Sequence, residues 1–290
     1  MANSITLAKA YTALLDEVYQ TASVTNDLTS DSSLVRAGAN ANEILYPQID
    51  VTGLGDYDRN SGYTDGSVAV VWKTAAFNYD RGTKISVDAM DDEETFGIAF
   101  GQASSELMRT KVAPEADAFT FAALAGVPGI SMATPATYDD ASAFLSALLE
   151  AKNKMDEDEV PEEGRILYAT PTLLNGVMAL DTTKSREVLS AFSVRKAVPQ
   201  SRFYTAIDLL DGKTAGEEAG HYKKAETGKE INFMIVHKPC LMKWDKHAVS
   251  SIISPDANPD SDSYIVKYRK YGIVDVLQNK VAGIYLSHKV

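Results

Sequence analysis

Apolar residues recur in the first twenty positions at Leu7, Tyr11, Leu14, Leu15, Val18 and Tyr19, steps that place them on one face of a helix. Over residues 23–42 the chain turns to Thr, Ser, Asn, Asp and Ala without a sustained period, and a polar arm is predicted there. Ile49 and Val51, and then the run from Ser67 through Trp72 to Phe77 and Tyr79, have strand composition. Residues 53–66 between them hold four glycines and two tyrosines, which predicts a flexible tip joining two strands. A two-stranded ribbon is marginal in water by itself, so this hairpin needs a partner surface.

Asp91, Asp92, Glu93 and Glu94 place acids where a helix dipole favours them, and Glu94 stands at the capping-box spacing from Asp91. Phe96, Phe100, Ala103 and Leu107 continue as a stripe and alanines follow to Ala123, predicting about 30 helical residues with a kink near Pro114. Gly126 and Gly129 end it. A third helix is predicted from Ala141, Phe144, Leu145, Leu148 and Lys152, and the acids from Asp156 to Glu163 read as its solvated end. Beyond Gly164 the pattern becomes short strands at residues 165–170, 203–210, 231–237, 241–244, 249–253, 264–268, 273–277 and 283–286, with a short helix at 172–180. Residues 212–228 and 254–263 read as polar loops. Helices early and strands late make an α+β chain without regular βαβ alternation.

Composition narrows the function. The chain has 290 residues, 28 Lys+Arg against 40 Asp+Glu and a formal charge of -12, which argues against a protein that grips nucleic acid through a basic stripe. Cys240 is the only cysteine, so no intrachain disulfide can form. The first twenty residues lack the apolar block of a signal peptide, and no stretch approaches the roughly 20 apolar residues of a membrane span. A cytoplasmic origin and a reduced thiol are expected.

Motifs for chemistry fail in context. Gly129-Ile-Ser-Met-Ala133 imitates a nucleophile elbow but follows a helix. Asp56, Asp58 and Asn60 begin like a calcium loop, yet Ser61 and Ser67 occupy the Gly and Glu positions; Asp256, Asn258, Asp260 and Asp262 fail in the same way at Ser261 and Lys267. Gly53-Leu-Gly55 lacks the third glycine and the helix of a dinucleotide fingerprint. His221, His237, His247 and His288 show no metal-ligand spacing, and Cys240 between Pro239 and Leu241 reads as a small buried hydrophobe. No catalytic residue, metal site or cofactor is predicted, which shifts weight to a structural or binding role.

The order of segments carries a resemblance. Arm, glycine-tipped hairpin, long kinked helix and a mixed portion whose last strands return toward that helix resemble the major capsid protein of tailed bacteriophages, the Hong Kong 97-type fold. Stretches similar to those of phage capsids are Arg165-Ile-Leu-Tyr-Ala-Thr-Pro171, Val198-Pro-Gln-Ser-Arg202, Phe233-Met-Ile-Val-His-Lys-Pro239, the run from Tyr264 to Leu277, and Val281-Ala-Gly-Ile-Tyr285. The resemblance implies an N-terminal helix and arm at 1–48, an extended loop at 49–88, a peripheral domain with its spine helix at 89–136, an axial domain at 137–246, and a return hairpin with closing strand at 247–290.

It also implies a subunit that assembles into hexamers and pentamers of an icosahedral shell, encloses phage double-stranded DNA without reading its sequence, and belongs to a virion built in the bacterial host cytoplasm. Scaffolding, portal and maturation or decoration proteins are the implied partners. The expected interface residues are Leu7, Tyr11, Leu14, Leu15 and Val18 on the first helix, with residues 5–42 strapped over a neighbour, and Tyr57, Arg59 and Tyr63 at the hairpin tip. Some members join subunits by a Lys–Asn isopeptide bond. Here the tip has no lysine, Lys73 and Lys84 lie toward its base, and Asn258 is the nearest asparagine, so a non-covalent shell is expected. No long charged leader precedes the arm, which would fit a separate scaffold or prior removal. The rival readings are a bacterial nanocompartment shell protein of the same fold and, more remotely, an unrelated soluble enzyme.

Overall fold

The computed structural model describes residues 23–30, 36–37, 42–60, 62–90 and 105–290. The predicted first helix, and the start of the second from Asp91 to Ala103, lie outside these residues. The hairpin is formed by β2 (Glu43–Val51) and β3 (Val68–Ala76), with β1 (Arg36–Ala37) pairing on β2. It starts six residues earlier than Ile49 because Ile44 and Tyr46 are buried with Ala75 against Met242 and Ile273, which anchors its base. The run through Phe77 and Tyr79 is not one strand. β4 (Tyr79–Asp88) leaves the hairpin and pairs with β12 (Ser263–Val276), which also pairs with β11 (Leu241–Ile253). Asn78 fixes the corner, donating to the Val274 carbonyl at 2.8 Å and accepting from its N–H at 3.0 Å.

The strands predicted at 241–244 and 249–253 are one strand, as are those at 264–268 and 273–277. The polar residues that suggested breaks sit on exposed or ion-paired positions of long ladders. A bulge at Asp245/His247 marks the place where β11 bends. Gly272 faces it, and a Cβ there would come within 2.8 Å of the Trp244 carbonyl, so the close approach requires glycine.

The second helix comprises a π-wound segment Met108–Val112 followed by α1 (Ala113–Ala125). In place of the kink expected near Pro114 the chain winds a π-turn just before it, which accommodates a residue that has no N–H to donate to the preceding turn. Gly126 caps the helix. α2 (Ala141–Glu157) buries Phe144, Leu145, Leu148, Ala151 and Met155, and Asp140 caps it by accepting from the Ala143 N–H at 2.7 Å. Lys152 lies off that stripe, paired with Asp156 and Glu162. The acidic end is accordingly pinned, since Asp156 also meets the fully buried Arg165 at 2.8 Å.

β5 (Ser131–Met132), β6 (Arg165–Ala169), β7 (Val194–Ala197), β10 (Ile231–His237) and β13 (Ile284–His288) form a sheet ordered β5-β13-β10-β6-β7. Ile166, Tyr168, Met234, Val236, Ile284 and Leu286 pack on Phe121 and Leu124 of α1. Leu167, Ala169, Phe233, Ile235 and Tyr285 pack on α2, α3 (Pro171–Ala179) and α4 (Thr183–Ser190). A sheet covered on both faces explains the uninterrupted burial of β10. α4, β7 and β9 (Tyr222–Lys224) have no counterpart among the predicted elements, and only Ile207–Leu209 (β8) of the strand predicted at 203–210 forms, pairing with β9. These pieces are short and polar, and their ladders supply an order that their own periodicity does not.

Candidate assembly surfaces

The register of the hairpin sorts its side chains into two faces. Val51 opposes Val68, Ile49 opposes Val70 and Pro47 opposes Trp72, and directly opposed residues of an antiparallel pair share a face. Toward the tip that face is apolar, whereas Thr74 and Glu43 share it near the base. Ile49 is 61% exposed and Val70 53%, with Val51, Val68 and Trp72 in the same state. The opposite face carries Asp50, Gln48, Ala69, Val71 and Lys73. Five exposed apolar residues in one patch, Ile49, Val51, Val68, Val70 and Trp72, are an unusual surface for a monomer, and covering them with a second molecule would contribute several kcal/mol.

At the tip, Tyr57 and Tyr63 approach each other with ring centroids 4.9 Å apart, while Tyr63 stays 88% exposed. A bridge between Asp58 and Gly62 closes the turn, and Gly62 at φ 81° takes the left-handed conformation that glycine favours. Asp58 accepts from the Asn60 N–H, so its carboxylate serves the turn. Arg59 is exposed on the same tip. The structure therefore brings Tyr57, Arg59 and Tyr63 together as an exposed group, while Leu7, Tyr11, Leu14, Leu15 and Val18 lie outside the described residues.

The sequence gives no hint of how the arm is held. Asp117 of α1 is completely buried, and its Oδ1 accepts from Ser23 Oγ at 2.7 Å, Thr25 Oγ1 at 2.7 Å and the Thr25 N–H at 3.1 Å. Its Oδ2 accepts from the Val24 N–H at 3.0 Å and from Arg202 Nη1 at 3.1 Å. Lys243 Nζ donates to the carbonyl and the hydroxyl of Thr25, both at 2.8 Å, and Lys196 Nζ donates to the Val24 carbonyl at 3.0 Å. Leu28 is buried among α1 and the five-stranded sheet, and Ser30 bonds to Leu241 and Lys243 on β11. Residues 23–30 are thus locked to the chain's own body. Burial, reinforced by the like charge of Lys270, pushes the Lys243 ammonium down to about 7.

Among the described residues no group of three or more His, Cys, Asp or Glu is placed to hold a metal, and no helix is long and apolar enough to cross a membrane. Cys240 is buried, and burial pushes its thiol up to about 12, an inert setting. Asn258 donates to Ser261 and to the Ser263 carbonyl and hydroxyl, so its amide organises the turn between β11 and β12.

No protein-family model matches the sequence, and no curated protein matches it. Solved structures do match the fold. The virus-like particle from Pyrococcus furiosus aligns with a TM-score of 0.59 at 8% identity over 97% of this chain and 99% of its own. The capsid structure of cyanophage P-SCSP1u gives 0.56 at 13% identity over 93% and 88%, and the mature capsid of bacteriophage PhiM1 gives 0.52 at 12% over 86% and 82%. Aligned with them over most of its length, the chain has the fold of the phage capsid proteins.

Proposed function

We propose that this chain is the major capsid subunit of a tailed phage, assembling with copies of itself into an icosahedral shell of hexamers and pentamers around double-stranded DNA. The observation that carries the reading is the two-sided hairpin. Ile49, Val51, Val68 and Val70 form an apolar face that is more than half exposed, on a fold shared with capsid and particle structures. In this reading residues 43–76 reach over a neighbour, the peripheral portion consists of the long helix with β4, β11 and β12, and the axial portion is the five-stranded sheet with α2, α3 and α4. The net charge of -12 suits a container whose DNA must move freely, because counterion release is what makes basic proteins cling. Scaffolding, portal and decoration proteins, and assembly in a host cytoplasm before entry into a virion, belong to the same proposal.

A shell that encloses something other than DNA is the second reading, kept because a virus-like particle shares the fold as fully as the phage capsids do. Electron microscopy of the expressed protein, alone and with a co-expressed scaffold, tests both. Closed particles support the shell, and a chain that stays monomeric at high concentration under both conditions overturns it. The ratio of absorbance at 260 and 280 nm of purified infectious particles then separates a DNA container from a protein container.

A further inference from the structure

A cleft of about 390 Å³ lies between the peripheral strands and the loop that joins β8 to β9. One wall is a single stripe of the long helix, Leu107, Lys111 and Glu115 at successive four-residue steps. Another is β4 with Arg81 and the neighbouring Tyr268, and the third is the loop carrying Asp211, Lys213, Glu218 and His221.

The acids of this cleft are already engaged. Glu115 receives Arg81 Nε at 2.6 Å and has His221 Nδ1 at 3.5 Å; burial pushes its carboxyl up, but the nearness of His221 and the Arg81 guanidinium outweighs that and holds it below its ordinary value. Asp211 accepts from the Lys213 N–H at 2.7 Å and from the N–H and hydroxyl of Thr214 at 2.8 Å and 2.7 Å. Glu218 accepts from the Gly216 N–H at 2.9 Å. The ammonium groups of Lys84, Lys111 and Lys213, on three separate elements, make no ion pair or hydrogen bond with any described residue. With Arg81 these lysines set four cations in the cleft against the three carboxylates of Glu115, Asp211 and Glu218, a local positive excess on a chain of charge -12.

We propose that this cleft binds a phosphoryl group carried on an apolar or aromatic body, which is the chemistry of a nucleotide. Lysines are point charges that suit a tetrahedral oxyanion approached from several sides, whereas a planar carboxylate favours the fork of an arginine. Arg81 is committed to Glu115 and to the His221 carbonyl at 3.2 Å. Leu107, Val112, Leu210 and Tyr268 supply the apolar lining, and the volume falls at the lower end of small-molecule pockets. The loop that closes the cleft turns through left-handed backbone at Gly212, Gly216, Gly220 and His221, and Arg81 Nη2 donates to the His221 carbonyl at 3.2 Å, which ties the third wall to β4.

The full chain should be titrated at low salt with inorganic phosphate, a mononucleotide and a short single-stranded oligonucleotide, with binding read by calorimetry. The mononucleotide is expected to bind more tightly than phosphate, and Lys111→Ala or Lys213→Ala to weaken it about tenfold each while raising the apparent Kd no further with added salt than wild type. An oligonucleotide at least tenfold tighter than the mononucleotide identifies a nucleic-acid strand as the source, and equal affinities a free nucleotide. Phosphate binding as tightly as the nucleotide overturns the assignment, as does failure of all three to bind at millimolar concentration. A labelling measurement needs no variant: bound nucleotide should shield Lys84, Lys111 and Lys213 from reductive methylation more than other lysines, and unchanged labelling overturns the site.

Discussion

The hydroxyl of Thr25 donates to the buried carboxylate of Asp117 at 2.7 Å and accepts from the buried ammonium of Lys243 at 2.8 Å, so one small side chain of the arm stands between two charges of the body. Asp117 comes from the long helix and Lys243 from β11, and the arm threads the gap. The charges do not touch. Each is satisfied through the arm, with Arg202 completing the carboxylate, and removing the arm would strand both in a low-dielectric interior. The anchor therefore stabilises the body as much as the body holds the arm, and it fixes the point from which residues 1–22 depart.

Replacing Asp117 by Ala should release the arm. Five hydrogen bonds end on this carboxylate and Arg202 would lose its partner, so a destabilisation of about 3 kcal/mol is expected for breaking a buried charge pair. Urea denaturation measures that loss, and limited proteolysis should show new cleavage within residues 23–37 under native conditions. An unchanged digestion pattern would show that Leu28 and Ser30 hold the arm without Asp117.

Lys243 makes stability depend on alkaline pH. Its ammonium titrates near 7 in the folded chain and near 10.5 when unfolded, so between these values the unfolded state binds more protons. Stability from this group is lowest below pH 7 and rises as pH increases toward 10.5. Comparing wild type with Lys243→Met by thermal melting at pH 6 and pH 9 isolates the effect: wild type should gain on the variant at the higher pH. A constant difference would mean that the ammonium stays charged in the fold.

The apolar hairpin face can be tested apart from the body. Ile49 and Val70 are cross-strand partners, more than half exposed, and Ile49→Thr with Val70→Thr keeps β-branched side chains in both strands. The subunit should melt within a few degrees of wild type, since exposed substitutions change stability by about 0.5 kcal/mol or less. Particle formation should fail or fall at least tenfold by light scattering. Deleting residues 53–66 and closing the strands with a two-residue turn should have the same effect, and normal particles from both variants would remove the hairpin from assembly.

Particles boiled in denaturant should run as one band near 31.4 kDa. The tip carries no lysine, Lys73 is half-buried on the polar face of β3, and the Asn258 amide is used within its own turn. A ladder of covalent oligomers would identify Lys73 or Lys84 as reactive in the assembled state.

Local pattern was enough to read the glycine-tipped hairpin, the buried stripe of α2 and the strand at β10. In each case the pattern acts within a few residues of itself. Tyr57, Arg59 and Tyr63 were legible as an exposed group for the same reason, because glycines around a tip forbid a buried core. Which hairpin residues share the exposed apolar face was not legible, since it depends on Val51 meeting Val68 and not its neighbour, a register set by the anchoring of Ile44 and Tyr46 far from the tip. The ladders of β11 and β12 were split around Lys246 and Lys270, whose charges are met by the Phe77 ring and by Asp245. Asp117 is one acid among forty in the sequence, and its burial and its partners come from segments 92 and 85 residues away. Sequence by itself determined the longer helices and strands, because those follow from local backbone preference and residue type. Tertiary structure alone decided the anchor, the apolar face and the lysine-lined cleft, because each is made by side chains that only packing brings within hydrogen-bonding or van der Waals range.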